Sequence, residues 1–208
     1  EMIESFMLLA NTCAAAEGRR RDLPFVYRVH EAPDPERVES LQKLLRAVGL
    51  PAKFASEIPT AKELSALLDR TKGTPLERAV HTSVLRTMSK AKYEPVPKGH
   101  FSLALEDYAH FTSPIRRYPD LAIHRILSAA LTGQGASRRW DTFAADASRQ
   151  SSEREVSAMQ AERSIESCYK AEYMTAHLGE EFTAVVSGVT PQGLYVQLPN
   201  TVEGLVAT

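Results

Sequence analysis

Apolar positions in the first stretch fall at helical spacing: Ile3, Phe6, Met7 and Ala10 share one face of a helix expected to run to about Ala16. A basic turn follows at Arg19-Arg20-Arg21, and residues 23–30 then alternate in the manner of a short strand. Asp34 stands as N-cap and Pro35 as first-turn residue of the next helix; Leu41, Leu44, Leu45 and Val48 are its stripe, and Gly49 marks its end. Thr60, with Glu63 three residues on, has the capping-box pattern and opens a helix to Asp69. A further helix is expected over residues 75–88. Pro95 and Pro97 then hold the chain extended ahead of His100. Residues 120–131 read as helix, and Gly133, Gln134 and Gly135 as a flexible turn. A long helix is expected from about Trp140 or Ser152 to His177, with Val156, Met159, Ile165, Tyr169 and Tyr173 as its stripe.

From Gly179 the period changes from that of a helix to two. Phe182, Ala184, Val186 and Val189 precede a turn at residues 190–193. Leu194, Val196 and Leu198 then alternate, and Val202, Leu205 and Val206 begin a third strand. The pattern places a domain boundary at 178/179 and divides the chain into residues 1–178 and 179–208. Both ends read as cut from a longer protein, because the chain opens without Met in a helical pattern and closes in a strand pattern.

Composition narrows the class. The 208 residues are 43% apolar and 25% charged, with a net charge of -1 and a pI near 6.7, which fits a soluble globular protein. Nucleic-acid affinity then has to come from local geometry, since there is no bulk positive charge. Cys13 and Cys168 form no disulfide framework and read as two reduced thiols of a cytosolic protein. No apolar run is long enough to span a membrane, and Glu1 and Glu4 stand where a signal peptide carries basic residues, so a cytoplasmic location is expected.

The chemistry concentrates in residues 100–125. Pro114 and Pro119 bracket Arg116 and Arg117 in a stiff frame that can aim guanidiniums at a fixed target. A guanidinium fork matches phosphate oxygens in a way that Lys does not. Tyr108 and Tyr118 offer faces for base stacking or a hydroxyl for backbone contact. By residue type alone, an Arg pair or a Tyr is more often solvated or packed surface than a site. His100, His110 and His124 lack metal-ligand spacing and read as structural or as phosphate neighbours. Asp120 reads as an N-cap for the helix that follows or as an anchor for an Arg.

The whole string HFSLALEDYAHFTSPIRRYPDLAIH, residues 100–124, resembles the conserved motif of the RNase II / RNase R family in order and spacing. Residues 3–11 resemble the family's helix near the catalytic centre. Ala161-Glu162-Arg163 and residues 170–174 resemble the helix that leaves the catalytic domain, and the chain from Gly179 resembles the S1-type OB-fold that follows it. The wording is nearer to the bacterial RNase R branch than to RNase II proper. The resemblance implies an α+β fold: the helical C-terminal half of an RNB catalytic domain, then a truncated OB-fold. It also implies processive 3′→5′ hydrolysis of single-stranded RNA to nucleoside 5′-monophosphates, with Mg²⁺ as cofactor. The family's metal ligands are a cluster of Asp residues upstream of the first helix, so the resemblance implies none in this chain and makes the upstream half a partner.

The family uses one catalytic Arg in this segment, and Arg117 and Arg116 are both candidates. Glu4 and Glu162 match positions where the family places carboxylates near RNA, and a carboxylate can accept a ribose 2′-hydroxyl. Tyr108, His110, Thr112, Ser113 and Tyr118 complete the expected RNA contacts. The sequence departs from the family pattern at Ser5, where a second Glu is common, and at Val156 and Ser157, where two Arg are common. The β segment ends after about three strands, short of the five of an OB-fold. Two other readings stand beside this one: an RNA-binding module or adaptor that has lost catalysis, and a helical interaction protein with no RNA role.

Overall fold

A computed structural model describes residues 1–51, 53–133 and 138–207. Gln134 and Gly135 of the expected turn lie outside the described residues, and so does Thr208. The fold is α+β. It divides into two compact units, Glu1–Arg154 and Glu155–Thr208. That division falls inside the long helix, whereas 178/179 is where the pattern turns from helix to strand.

In the first unit, helix α1 spans Met2–Arg20, strand β1 Tyr27–Val29, and helices α2, α3 and α4 span Pro35–Ala47, Ala61–Thr71 and Glu77–Thr87. Strand β2 (Lys92–Glu94), a 3₁₀ turn (Phe101–Leu103), α5 (Tyr118–Leu131) and the start of α6 (Arg138–Thr175) follow. Helix starts are set by local chemistry. Asp34 accepts the Glu36 N–H at 2.9 Å, with Pro35 in the first helical turn. Thr60 and Glu63 form the reciprocal capping box, the Glu63 N–H donating to Thr60 Oγ1 at 3.2 Å and the Thr60 N–H to Glu63 Oε2 at 2.8 Å.

Two cores result. Leu41, Leu45, Leu64, Leu67, Val80 and Val84 join α2, α3 and α4. The other core positions the site: Phe25, Val26, Tyr27 and Val29 pack with Ala15 of α1, Tyr93 of β2, Ala122, Ile123 and Ile126 of α5, and Ala144 and Ala147 of α6. Close approach matters here, since a Cβ on Gly18 would lie 2.8 Å from the Phe25 ring. β1 is hydrogen-bonded along both edges. It pairs antiparallel with β2 (Arg28 opposite Tyr93). On its other side the Arg28 N–H donates to the Tyr108 carbonyl at 2.8 Å, and the His30 N–H to that of Gly99 at 3.1 Å.

Several sequence expectations are corrected. α1 continues through Arg19 and Arg20, which form its last turn rather than a separate one. Of residues 23–30, only Tyr27–Val29 form a strand, and its partner β2 was not foreseen. α5 starts at Tyr118 with Pro119 in its first turn, so Asp120 is not its N-cap.

In the second unit, β3 (Val185–Thr190), β4 (Gly193–Gln197) and β5 (Glu203–Ala207) form an antiparallel meander in sequence order. The register turns over between Thr190 and Gly193 and carries a bulge between Val186 and Gly188. Phe182 and Ala184 precede the first strand. A cavity of about 760 Å³ between this sheet and α6 is lined from the helix by Ser167, Lys170, Ala171 and Met174. Val156, Ile165, Tyr169 and Tyr173 of the apolar stripe do not line it and are exposed.

Candidate nucleic-acid interface

The 108–117 segment leaves the edge of β1 at Tyr108 and enters α5 at Tyr118. It is held from behind by two buried side chains on different helices. Asn11 of α1 accepts the N–H groups of Phe111 (2.9 Å) and Thr112 (3.2 Å) on Oδ1, and its Nδ2 donates to the Tyr108 hydroxyl at 3.1 Å. Asp120 of α5, fully buried, accepts the Ser113 N–H at 2.7 Å on Oδ1. The same oxygen accepts from Arg117 Nη2 at 2.7 Å. The Arg116 and Arg117 N–H groups both turn back to the Ser113 carbonyl, at 3.3 and 3.1 Å. Pro114 has no N–H to offer. The backbone donors of 111–113, 116 and 117 are thus committed within the protein.

The two Arg candidates separate on this geometry. Arg117 is 20% exposed and tied to a buried carboxylate. Its charge is spent on holding the loop. Arg116 is exposed, and its side chain makes no hydrogen bond or ion pair among the described residues. Beside it the tip presents Ile115, fully exposed, and the half-exposed ring of Tyr118. An exposed guanidinium flanked by an apolar side chain and an aromatic face suits a phosphate with a base next to it. Thr112 Oγ1, Arg117 Nε and Asp120 Oδ2 are buried without a hydrogen-bond partner, so the Arg117–Asp120 contact is a single bond rather than a two-pronged fork.

Beneath the loop the aromatic side chains interlock. His110 Nδ1 shares a hydrogen bond of 2.9 Å with the Tyr93 hydroxyl, and its ring stands edge-on to Tyr108. Tyr108 is in turn edge-on to His100, and the Arg28 guanidinium lies 4.5 Å over Tyr93. Burial first, then the charges of Arg117 and Arg28, push the His110 imidazole down to about 4. Burial, then His30 and Arg28, do the same to His100, also to about 4. Both are neutral near pH 7, so neither supplies a cation to RNA. His124 stacks flat on Phe111 at 4.2 Å and donates from Nε2 to its carbonyl at 2.9 Å. All three imidazoles frame the loop. At the segment's other end, Arg19 Nη1 donates to both carboxylate oxygens of Asp107, at 2.9 and 3.1 Å.

The remaining expected residues are dispersed. Glu4 is exposed on α1, two turns before Asn11 and on the same face, about 10 Å along the axis. Glu162 is exposed on the stretch of α6 that belongs to the second unit. Tyr108, His110, Thr112 and Ser113 are drawn together with Arg117 around the loop. Asn11 is the residue that sequence reasoning passed over: it sat in a stretch quoted for its resemblance, yet nothing local shows that its amide reaches across a hundred positions. Among the described residues no group of three or more His, Cys, Asp or Glu converges in a way that could hold a metal. The Asp carboxylates do not fit that task where their contacts are known: Asp120 holds Arg117, Asp107 holds Arg19, and Asp34 caps α2.

Residues 1–133 match the RNB domain. The chain is 40% identical over 208 residues to Ribonuclease R 1 of Lactococcus lactis subsp. lactis, covering 99% of this chain and 26% of that protein. It is 42% identical to Ribonuclease R of Aquifex aeolicus, with 99% and 29% covered. Among solved structures it superposes on Mycoplasma genitalium RNase R in complex with ribose methylated single-stranded RNA. The TM-score is 0.91 at 28% identity, covering 99% of this chain and 33% of that one. The chain therefore spans between a quarter and a third of the length of the relatives it matches.

Proposed function

The chain belongs to the RNB domain family, and from that premise we propose that it is part of a 3′→5′ exoribonuclease that cuts nucleoside 5′-monophosphates from single-stranded RNA. The observation that carries the reading is the loop that commits its backbone donors inward and leaves Arg116 alone at the tip. Hydrolysis of the terminal phosphodiester adds water at phosphorus and breaks the bond to the 3′ oxygen of the preceding nucleotide. Negative charge builds on the non-bridging oxygens as this happens. Arg116 meets that charge with a planar fork, and losing such a group costs about 10²–10³ in rate. Arg117 keeps the loop in shape.

The exposed ring of Tyr118 stacks on a base near the scissile bond, and Tyr108, Thr112 and Ser113 line the approach. Glu4 and Glu162 accept ribose 2′-hydroxyls, which distinguishes RNA from DNA. Mg²⁺ is the proposed cofactor; it supplies activated water, and its ligands belong to the part of the parent protein outside this chain. The β3–β5 meander is the opening of an S1-type OB-fold, with the domain boundary at 178/179. The test is digestion of 5′-labelled single-stranded RNA with Mg²⁺ by this chain, alone and with the upstream half of the catalytic domain. Stepwise 3′ shortening only with both halves supports the reading. Shortening by this chain alone sends the metal ligands back into it, and binding without shortening by the complete parent favours an inactive RNA-binding adaptor.

A further inference from the structure

We propose that Asn11 and Asp120 are positioning residues for Arg116, working as a pair of latches that fix the loop before RNA arrives. The inference rests on the exoribonuclease reading and adds to it the two groups through which the fold sets the geometry of the acting guanidinium.

Three consecutive N–H groups, those of Phe111, Thr112 and Ser113, are taken by side chains from two different helices. Both acceptors are shielded from water, Asn11 almost completely and Asp120 wholly. A buried polar side chain is costly to place unless it is bonded, and these two are bonded almost entirely to one loop. Neither caps its own helix: Asn11 lies in the middle of α1, and Asp120 is in the first turn of α5 but reaches back to Ser113. Helix packing in the core holds Ala15, one turn after Asn11, and Ala122 and Ile123, just after Asp120. Both latches are therefore anchored in rigid structure, and the loop inherits that rigidity. Asp120 acts twice, since one oxygen takes both the Ser113 N–H and Arg117 Nη2. It so fixes the residues on either side of Pro114, Ile115 and Arg116.

The arrangement suits a reacting group that has to be held within a fraction of an ångström. A displacement of about 1 Å caused from a distance can cost about 100-fold in rate. It suits stability alone less well, because a buried ion pair contributes little net stabilisation against a well-packed apolar alternative.

The experiment uses the full-length parent protein with 5′-labelled single-stranded RNA and Mg²⁺ under single-turnover conditions. The substitutions are Asp120→Asn and Asn11→Ala, each alone and each combined with Arg116→Ala. Asp120→Asn keeps an acceptor for Ser113 and removes the charge that holds Arg117. Alone, each latch variant is expected to slow cleavage by about 10- to 100-fold with RNA affinity changed less than about 3-fold. In the Arg116→Ala background neither is expected to slow it further, since the group being positioned is gone. A structural role alone would lower the rate by the same factor in both backgrounds, and that result overturns the proposal. Wild-type rates for both single variants overturn it as well. Should Asp120→Asn not fold, Asn11→Ala decides by the same comparison. Absence of cleavage by the wild-type protein would instead count against the exoribonuclease reading.

Discussion

Replacing Arg117 by Gln separates the two arginines by stability before any RNA is added. The change removes the 2.7 Å partner of a carboxylate that has no exposed surface, while leaving it the Ser113 N–H. Breaking a buried ion pair by deleting one member costs about 3–5 kcal/mol, because the charge left behind is uncompensated. The retained N–H and the 20% exposure of Arg117 place the expected cost at the lower end, about 3 kcal/mol. With a urea dependence of about 2 kcal/mol per molar, the unfolding midpoint falls by about 1.5 M. Arg116→Gln, at an exposed side chain, is expected to stay within about 0.5 kcal/mol. The chain has one Trp, Trp140, packed edge-on to Phe143 at 5.4 Å against the core beneath the loop, and its fluorescence reports this unit. Equal midpoints for the two variants, or a larger loss for Arg116→Gln, would refute the assignment of Arg117 as the strut.

Three further outcomes are expected. His100 and His110, held at about 4 against an ordinary 6.5, bind fewer protons folded than unfolded between those values. Stability is thus full above about pH 6.5, declines as the pH falls toward 4 and levels below it. Urea midpoints between pH 5 and 7 check this, and His110→Gln should flatten the slope. Thr60→Ala removes the side-chain half of the capping box and should cost about 1 kcal/mol in the same assay. Met2, Ile3, Phe6 and Leu9 leave the start of α1 with an exposed apolar surface, so the chain should associate as its concentration rises in sedimentation velocity, and Phe6→Glu should reduce that.

Signals confined to a few neighbouring residues were legible in the sequence. Asp34-Pro35 and Thr60-Glu63 state their helix starts outright, because cap and helix lie within three residues of each other. The switch of period after Gly179 likewise forecast the meander. β2 escaped because Lys92-Tyr93-Glu94 has a single buried side chain, and its strand state comes from pairing with residues 27–29, far away in sequence. The α6 stripe marked the helix by its spacing but not the face that meets the sheet, which is that of Ser167, Ala171 and Met174. In the site, the residues at 108–118 were named from their motif, but the sequence left Arg116 and Arg117 equivalent. What tells them apart is the reach of Asp120, three residues past Arg117 on the first turn of a helix whose start was misplaced. Asn11 was illegible for a plainer reason: its partners are a hundred positions away.

The account stands most directly on the rate of Arg116→Ala in the full-length parent, measured against Arg116→Lys and wild type on 5′-labelled single-stranded RNA in a single turnover. It predicts a fall of about 10²–10³ for Ala, a partial recovery for Lys, and an unfolding midpoint unchanged from wild type. Cleavage by Arg116→Ala at the wild-type rate would contradict it and return the catalytic role to Arg117 or to a group outside this chain.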